Sequence, residues 1–245
     1  MTGTQGYILC ATPRSGSTLL CAMLRASGVA GHPESWFRAQ DIDEYAKDWG
    51  IVRSDGSFDW PCYLCAARQA GAAGTPVFAL RLMWVTLAHL AARLGADHVA
   101  GQAAAFEQAF GPLRHVYLRR RAVLAQAISR HKAEVSGIWH IGIEAAADPV
   151  TPHYDADRIA RFLREAKAAN AGWEAWFAAN RIAPLRLIYE DLCVDPPATA
   201  LAVLAYLGLG PVPAASLLVT NVRMADAQSA DWAARFRRET GYRGP

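Results

Sequence analysis

Lysine is scarce in this chain of 245 residues: of its 25 Lys and Arg residues, only Lys47, Lys132 and Lys167 are lysines. No dense Lys/Arg stripe runs through it, and the net charge is only +3. That argues against a nucleic-acid-binding protein and leaves small anions as the ligands the mild basic excess suits. Arginine favours bidentate contacts with oxyanions, although a GC-rich genome gives the same bias. No uncharged run reaches the ~18 residues that a membrane span needs. A signal peptide is not expected, because residues 1–6 lack a basic region and Arg14 interrupts the first apolar stretch. Cysteine is sparse and odd in number, at positions 10, 21, 62, 65 and 193. Cys62 and Cys65 have CxxC spacing, but no second pair follows at zinc-ribbon distance. Reduced thiols in the core and a cytoplasmic location are the expectation. Charged residues make up 19% against 53% hydrophobic, which excludes a disordered chain. No repeat, low-complexity stretch or linker divides it, so residues 1–245 are expected to form a single domain.

What is present is an alternation of strand and helix signals. Tyr7–Cys10 reads as a buried strand, and Ser17–Ser27 as a helix ended by Gly28. The stretch "GVAGHPESWF" reads as a short strand or loop, and "FDWPCYLCAARQAGAAGTP" as a helix and then a loop. Strands are predicted at 77–83 and 115–120, each followed by a helix, Trp84–Gly95 and Ala122–Ala133. A long helix is predicted over Asp157–Asn180, with Trp173 and Trp176 on its core face. "PLRLIYEDL" reads as a fourth strand with an acidic end, and Pro196–Gly208 as a helix with proline near its start. Strands separated by helices imply an α/β fold, a central, mostly parallel sheet with helices on both faces.

The connection after the first strand, "TPRSGSTL", carries the parts of an anion site. The first N–H groups of a helix lack partners and carry partial positive charge, so strand–loop–helix junctions bind phosphate. Gly16 permits close approach, Ser15, Ser17 and Thr18 add hydroxyls, and Arg14 adds a charged fork. The nucleoside-triphosphate P-loop carries Lys after its last glycine; here Ser17 takes that place and no glycine begins the motif.

"ATPRSGSTLL" resembles the 5′-phosphosulfate loop of sulfotransferases that use PAPS, 3′-phosphoadenosine 5′-phosphosulfate. It is especially similar to the bacterial trehalose 2-sulfotransferase-like family. The resemblance continues in order through "LRASGVAGHPESWF", "RLMW", "YLRRRAVLAQAISRHKA", "SGIWH", "GWEAWF" and "DAQSADWAARFRR". It implies a P-loop-like three-layer fold and transfer of a sulfuryl group from PAPS to a hydroxyl of a carbohydrate or glycolipid-like acceptor, trehalose among them. PAP is the second product, no metal is expected, and a homodimer is implied.

The resemblance also implies residue roles. Thr12, Arg14, Ser15, Gly16, Ser17 and Thr18 would hold the 5′ end of the nucleotide. Arg120 or Arg121, with Ser129, would hold the 3′-phosphate, and Arg223 and Gln228 would close over it; the family has Arg where this chain has Gln228. Glu34 would be the carboxylate base, with Arg14 and Arg81 beside the transferred group; Arg81 stands where the family has Lys. The family's carboxylate directly precedes an aromatic pair. Here Ser35 fills that slot and Glu34 sits one earlier, an offset that can turn a side chain to the opposite face. His32 and His140 are the reserve bases. Ser35, Trp36, Phe37, Trp84, Trp139 and His140 would line the acceptor site with Glu34. Two other readings stay open: a small-molecule kinase, opposed by the missing Lys after Gly16, and a PAP-binding protein without catalysis.

Overall fold

The computed structural model describes residues 6–139, 150–219 and 227–245. Its centre is strand β1, Gly6–Ala11, with all six residues buried. A parallel strand covered on both faces reads as a continuous apolar run, which is what "GYILCA" is. Alternate side chains go opposite ways, Tyr7 and Leu9 into one core and Ile8 and Cys10 into another. β1 pairs in parallel with β2, Phe78–Met83, and with β3, Leu113–Arg119. β3 pairs in parallel with β4, Leu185–Ile188, giving the order β2-β1-β3-β4. The sheet is thus parallel throughout. Ala11 lies level with Met83 and Leu118, so these strands end together and their following loops share one edge.

Helices α1, Ser17–Ala26, and α9, Pro196–Leu207, cover the Tyr7 face through Leu20, Leu24, Val203 and Leu204. The Ile8 face is covered by α3, Trp60–Ala72, α4, Trp84–Arg93, α5, Gln102–Phe110, and α7, Ala156–Ala179. Trp173 and Trp176 lie at the heart of that layer, essentially unexposed, as their helical spacing predicts. A third cluster joins α6, Val123–Ser136, to α7 and to α10, Ala227–Thr240, through Leu124, Ile128, Phe162, Trp232 and Phe236. The result is the three-layer α/β arrangement. Among the described residues no helix is long and apolar enough to cross a membrane.

Two local expectations change, and two helices form in stretches for which the sequence reading predicts no element. The fourth strand stops at Ile188, and Tyr189–Val194 forms a short helix, α8. Glu190 and Asp191 fall in its first turn, where acidic side chains complement the helix dipole. Helices also form at Ile42–Asp48, α2, and at α5, whose Phe106 and Phe110 sit one turn apart in the core. All five cysteines are free thiols, but only Cys10 and Cys21 are buried; Cys62 and Cys65 are exposed on α3, whose buried positions are Tyr63, Ala67 and Gly71.

Candidate active site

The loop after β1 is held in an unusual shape. Arg14 has φ 64° and Gly16 φ 88°, both left-handed. For a non-glycine residue that conformation costs about 1–3 kcal/mol and persists only where neighbours over-determine it. Gly16 is required twice, since a Cβ there would also collide with the Tyr189 ring. Upstream, the Trp173 indole N–H donates to the Ala11 carbonyl at 3.0 Å and ties the strand end to the core. Downstream, α1 starts at Ser17 with no side chain capping its first N–H groups. Gly16, Ser17, Thr18 and Leu19 line a cleft of ≈1480 Å³.

Helix α6 forms the second wall. Arg14 Nε donates to Ser129 Oγ at 3.0 Å, and Arg14 Nη1 to the Trp139 carbonyl at 2.5 Å. Arg120 lays its guanidinium over the Tyr189 ring, 4.5 Å from the centroid, with Nε 3.9 Å from the Glu190 carboxylate. Glu190 accepts the N–H groups of Arg121 and Ala122 at 2.9 and 3.0 Å, just ahead of α6. Burial would raise its pKa; those two N–H groups and Arg120 outweigh it and hold the carboxyl below the usual range. Burial, and then the like charge of Arg120, push the Arg14 guanidinium below its ordinary pKa against a smaller opposing effect of Tyr189. Two guanidinium groups near enough to repel one another suit an anion between them.

The third wall is the segment Glu34–Ser35 beside the end of β2. The Arg81 N–H donates to the Glu34 carbonyl at 3.0 Å. Arg81 then spreads its side chain over three partners: Nη2 pairs with Glu34 Oε1, Nε donates to Ser35 Oγ at 2.9 Å, and Nη1 to Thr18 Oγ1 at 3.0 Å. Glu34 Oε1 also accepts the Ser35 N–H at 2.7 Å. One guanidinium therefore connects a half-buried carboxylate to the first turn of α1. A planar fork with donors on several sides can do this; an ammonium group has no such geometry.

Comparison with known proteins decides the family. A family model described as Stf0 sulphotransferase matches residues 6–239. The chain belongs to the Stf0 sulphotransferase family. It is 30% identical to a trehalose 2-sulfotransferase of Mycobacterium tuberculosis and 29% identical to one of Mycolicibacterium smegmatis, each alignment covering 95% of this chain and 94% of the relative. In fold it is similar to the sulfotransferase domain of the Synechococcus PCC 7002 olefin synthase, with TM-score 0.52 at 15% identity over 100% of this chain and 98% of that one. It is likewise similar to the sulfotransferase domain of the curacin biosynthetic pathway, with TM-score 0.51 at 16% identity over the whole of both chains. The fold is thus the P-loop-like one of sulfotransferase domains.

Within this Stf0 sulphotransferase, the cleft brings together Arg14, Gly16, Ser17, Thr18, Glu34, Ser35, Arg81, Arg120, Ser129 and Trp139. Other residues expected at the site lie elsewhere. Arg121 turns outward, 60% exposed, with Nη2 3.5 Å from Asp191; adjacent residues at a strand end point opposite ways, and Arg120 has the inward side. Thr12 and Ser15 are loop residues whose side chains are fully buried rather than lining the cleft. Trp36 and Phe37 are core residues: Trp36 donates to the Ala79 carbonyl at 3.3 Å, and Phe37 packs between Tyr63 and Phe110. Trp84 packs edge-on to Trp173 and over Gly172, where a Cβ would collide with it. Gln228 is exposed on α10, which gives Ser229, Ala233 and Arg237 to the cleft instead. His140 and Arg223 lie outside the described residues. His32 sits behind the wall, its ring 5.1 Å from Trp36, with burial and then Arg25 lowering its pKa.

Glu34 keeps its place despite the offset, because its carboxylate folds back over the Ser35 N–H toward Arg81. Tyr189 and Glu190 go unrecognised in the sequence because the strand pattern runs through them. Their signal is the run Tyr-Glu-Asp at the end of a strand, in line with the other strand ends.

Proposed function

We propose that this protein transfers a sulfuryl group from PAPS to a hydroxyl of a carbohydrate, releasing PAP, with trehalose as the first acceptor to test because the two mycobacterial relatives are trehalose 2-sulfotransferases. The observation that carries the reading is that the loop over Arg14–Thr18 and the Arg120–Ser129 wall open into one cleft, joined by the Arg14–Ser129 hydrogen bond of 3.0 Å.

The donor set fits a nucleotide with negative charge at both ends. The uncapped start of α1 and Arg14 suit the phosphosulfate end, and Arg120 with the Ser129 hydroxyl suits a 3′-phosphate. PAPS, when bound, supplies the activated sulfuryl group. Arg81 and Thr18 then stand where charge on the sulfuryl oxygens would be stabilised by donors already in position. Glu34 Oε1 is engaged by Arg81 and Ser35, which leaves Oε2 to take the proton from the acceptor hydroxyl. Held side by side in the cleft, donor and acceptor meet in a fixed geometry, so the sugar hydroxyl rather than solvent is the group placed against the sulfuryl.

A thermal-shift comparison of PAP, ATP and AMP tests the first step. A ligand at ~100 times its dissociation constant adds ~2.7 kcal/mol of stability. PAP is expected to raise the melting temperature well beyond AMP, and transfer of label from PAPS to trehalose or another sugar should follow. Equal shifts with PAP and AMP overturn the nucleotide; a PAP shift with no transfer to any sugar in a panel overturns the acceptor.

A further inference from the structure

Gln126 lies on α6 one turn before Ser129, and it is only 1% exposed. A polar side chain so deeply buried is costly where its hydrogen bonds are not made; here the amide oxygen has no partner among the described residues, and the nitrogen makes all the bonds. Its carboxamide nitrogen donates to Thr12 Oγ1 at 2.8 Å and to the Pro13 carbonyl at 2.7 Å. Pro13 offers only an acceptor there, which fixes the orientation of the amide. These are the two residues just before Arg14, the non-glycine residue held at φ 64°. The turn that follows is closed by the Ser15 N–H on the Thr12 carbonyl at 3.3 Å. Three residues along α6, Ser129 accepts from the Arg14 side chain. Positions three apart on a helix share a face. One face of α6 therefore grips the loop twice, at the Thr12 hydroxyl and Pro13 carbonyl before Arg14 and at the Arg14 side chain itself.

We infer that Gln126 is a positioning residue: it holds residues 12–14 in the conformation that presents the start of α1 to an anion, and it locks that loop to the helix carrying the second anion-binding group. The separation of the two anion sites is thereby set by α6. The ligand's identity rests on the proposed function; the hold on the loop does not.

Gln126→Met removes the donor at nearly constant volume. In the ligand-free, folded variant, amide hydrogen exchange over 14–18, read at the Ser15 N–H that is bonded to the Thr12 carbonyl, should quicken about tenfold, as a lost hydrogen bond with its buried acceptors left unpaired implies, while exchange in β1 and along α6 stays near wild type. The PAP dissociation constant and the KM for PAPS should rise by about the same factor, with the KM for the acceptor unchanged. Wild-type exchange over 14–18 overturns the inference, as does faster exchange with PAP affinity within twofold of wild type. If PAP fails to stabilise the wild-type protein, the functional reading fails and the exchange measurement alone decides the role of Gln126. Should Gln126→Met not fold, Thr12→Val removes one of the two bonds; it should speed exchange over 14–18 in the same direction by a smaller factor, and wild-type exchange there overturns the inference.

Discussion

At the Ser129 end of the cleft the polar groups hang from elements that the core fixes, whereas at the Glu34 end they hang from one another. Arg14 follows a strand end tied down by the Trp173 indole and is gripped by Ser129. Arg120 is pressed on Tyr189, beside a carboxylate held by the start of α6. Across the cleft, Glu34, Ser35 and Thr18 are each bonded to the Arg81 side chain, which is their common partner. Beyond them the rim is an exposed ion pair, Arg38 with Asp41, of the kind that contributes little stability. The first end suits a ligand of fixed shape, such as a nucleotide. The second suits a step in which charge and a proton shift among groups already in contact.

The comparison breaks most visibly at Glu34. Glu34→Gln should lower kcat by roughly 10²–10⁴-fold, the usual worth of a general base, with PAP affinity near wild type. Steady-state kinetics with PAP titration separates the two. Unchanged turnover would remove Glu34 from the chemistry, and a parallel loss of PAP affinity would mean that the two ends are not independent. Arg81→Lys sharpens the same point. Lysine restores the residue that the family resemblance places there and keeps the charge, but cannot meet Glu34, Ser35 and Thr18 together. A fall in kcat of about tenfold is expected from loss of the charged hydrogen bonds, again with little change in PAP affinity. Full activity in the variant would show that the charge alone matters and the three-way contact does not.

The two ends also differ in how far the sequence discloses them. "YILC" announces a central strand because burial on both faces demands an unbroken apolar run, whereas "RSGST" carries the parts of an anion loop but by itself suits an ordinary strand–helix turn as well, and only the ordered resemblance around it tips the reading. Glu34 and Arg81 can be named as site residues only through resemblance, and their pairing with one another is not legible at all, since it depends on the register of a one-residue bridge between Glu34 and Leu80. The aromatic residues mislead. A tryptophan that stacks on a sugar and one that fills a core look alike in sequence; Trp36 and Phe37 fill the core, and Trp84, partly buried, packs against it. Gln126 escapes notice for the opposite reason, because a glutamine on a helix reads as solvent-facing until the loop folds down on it. Arg120 and Arg121 cannot be told apart in sequence at all. Tyr189 and Glu190, about 70 positions on, decide which of them turns inward.

That last choice gives the finest test of the Ser129 end. Arg120, 10% exposed, lies in the cleft against Tyr189, whereas Arg121, 60% exposed, faces Asp191 on the outside. Replacing a buried charged partner of a phosphate by alanine costs about 1.5–3 kcal/mol, so Arg120→Ala should weaken PAP binding by about tenfold to a hundredfold. Surface ion pairs are worth so little that Arg121→Ala should leave PAP affinity within about twofold of wild type. Isothermal titration with PAP on both variants reads the contrast directly. AMP, which lacks the 3′-phosphate, should bind wild type and Arg120→Ala nearly alike, because the lost partner belongs to the group AMP does not carry. If Arg121→Ala is the weaker binder, the strand end must turn over when ligand arrives. If Arg120→Ala weakens AMP as much as PAP, Arg120 serves the loop rather than the second phosphate, and the two anion sites at this end collapse into one.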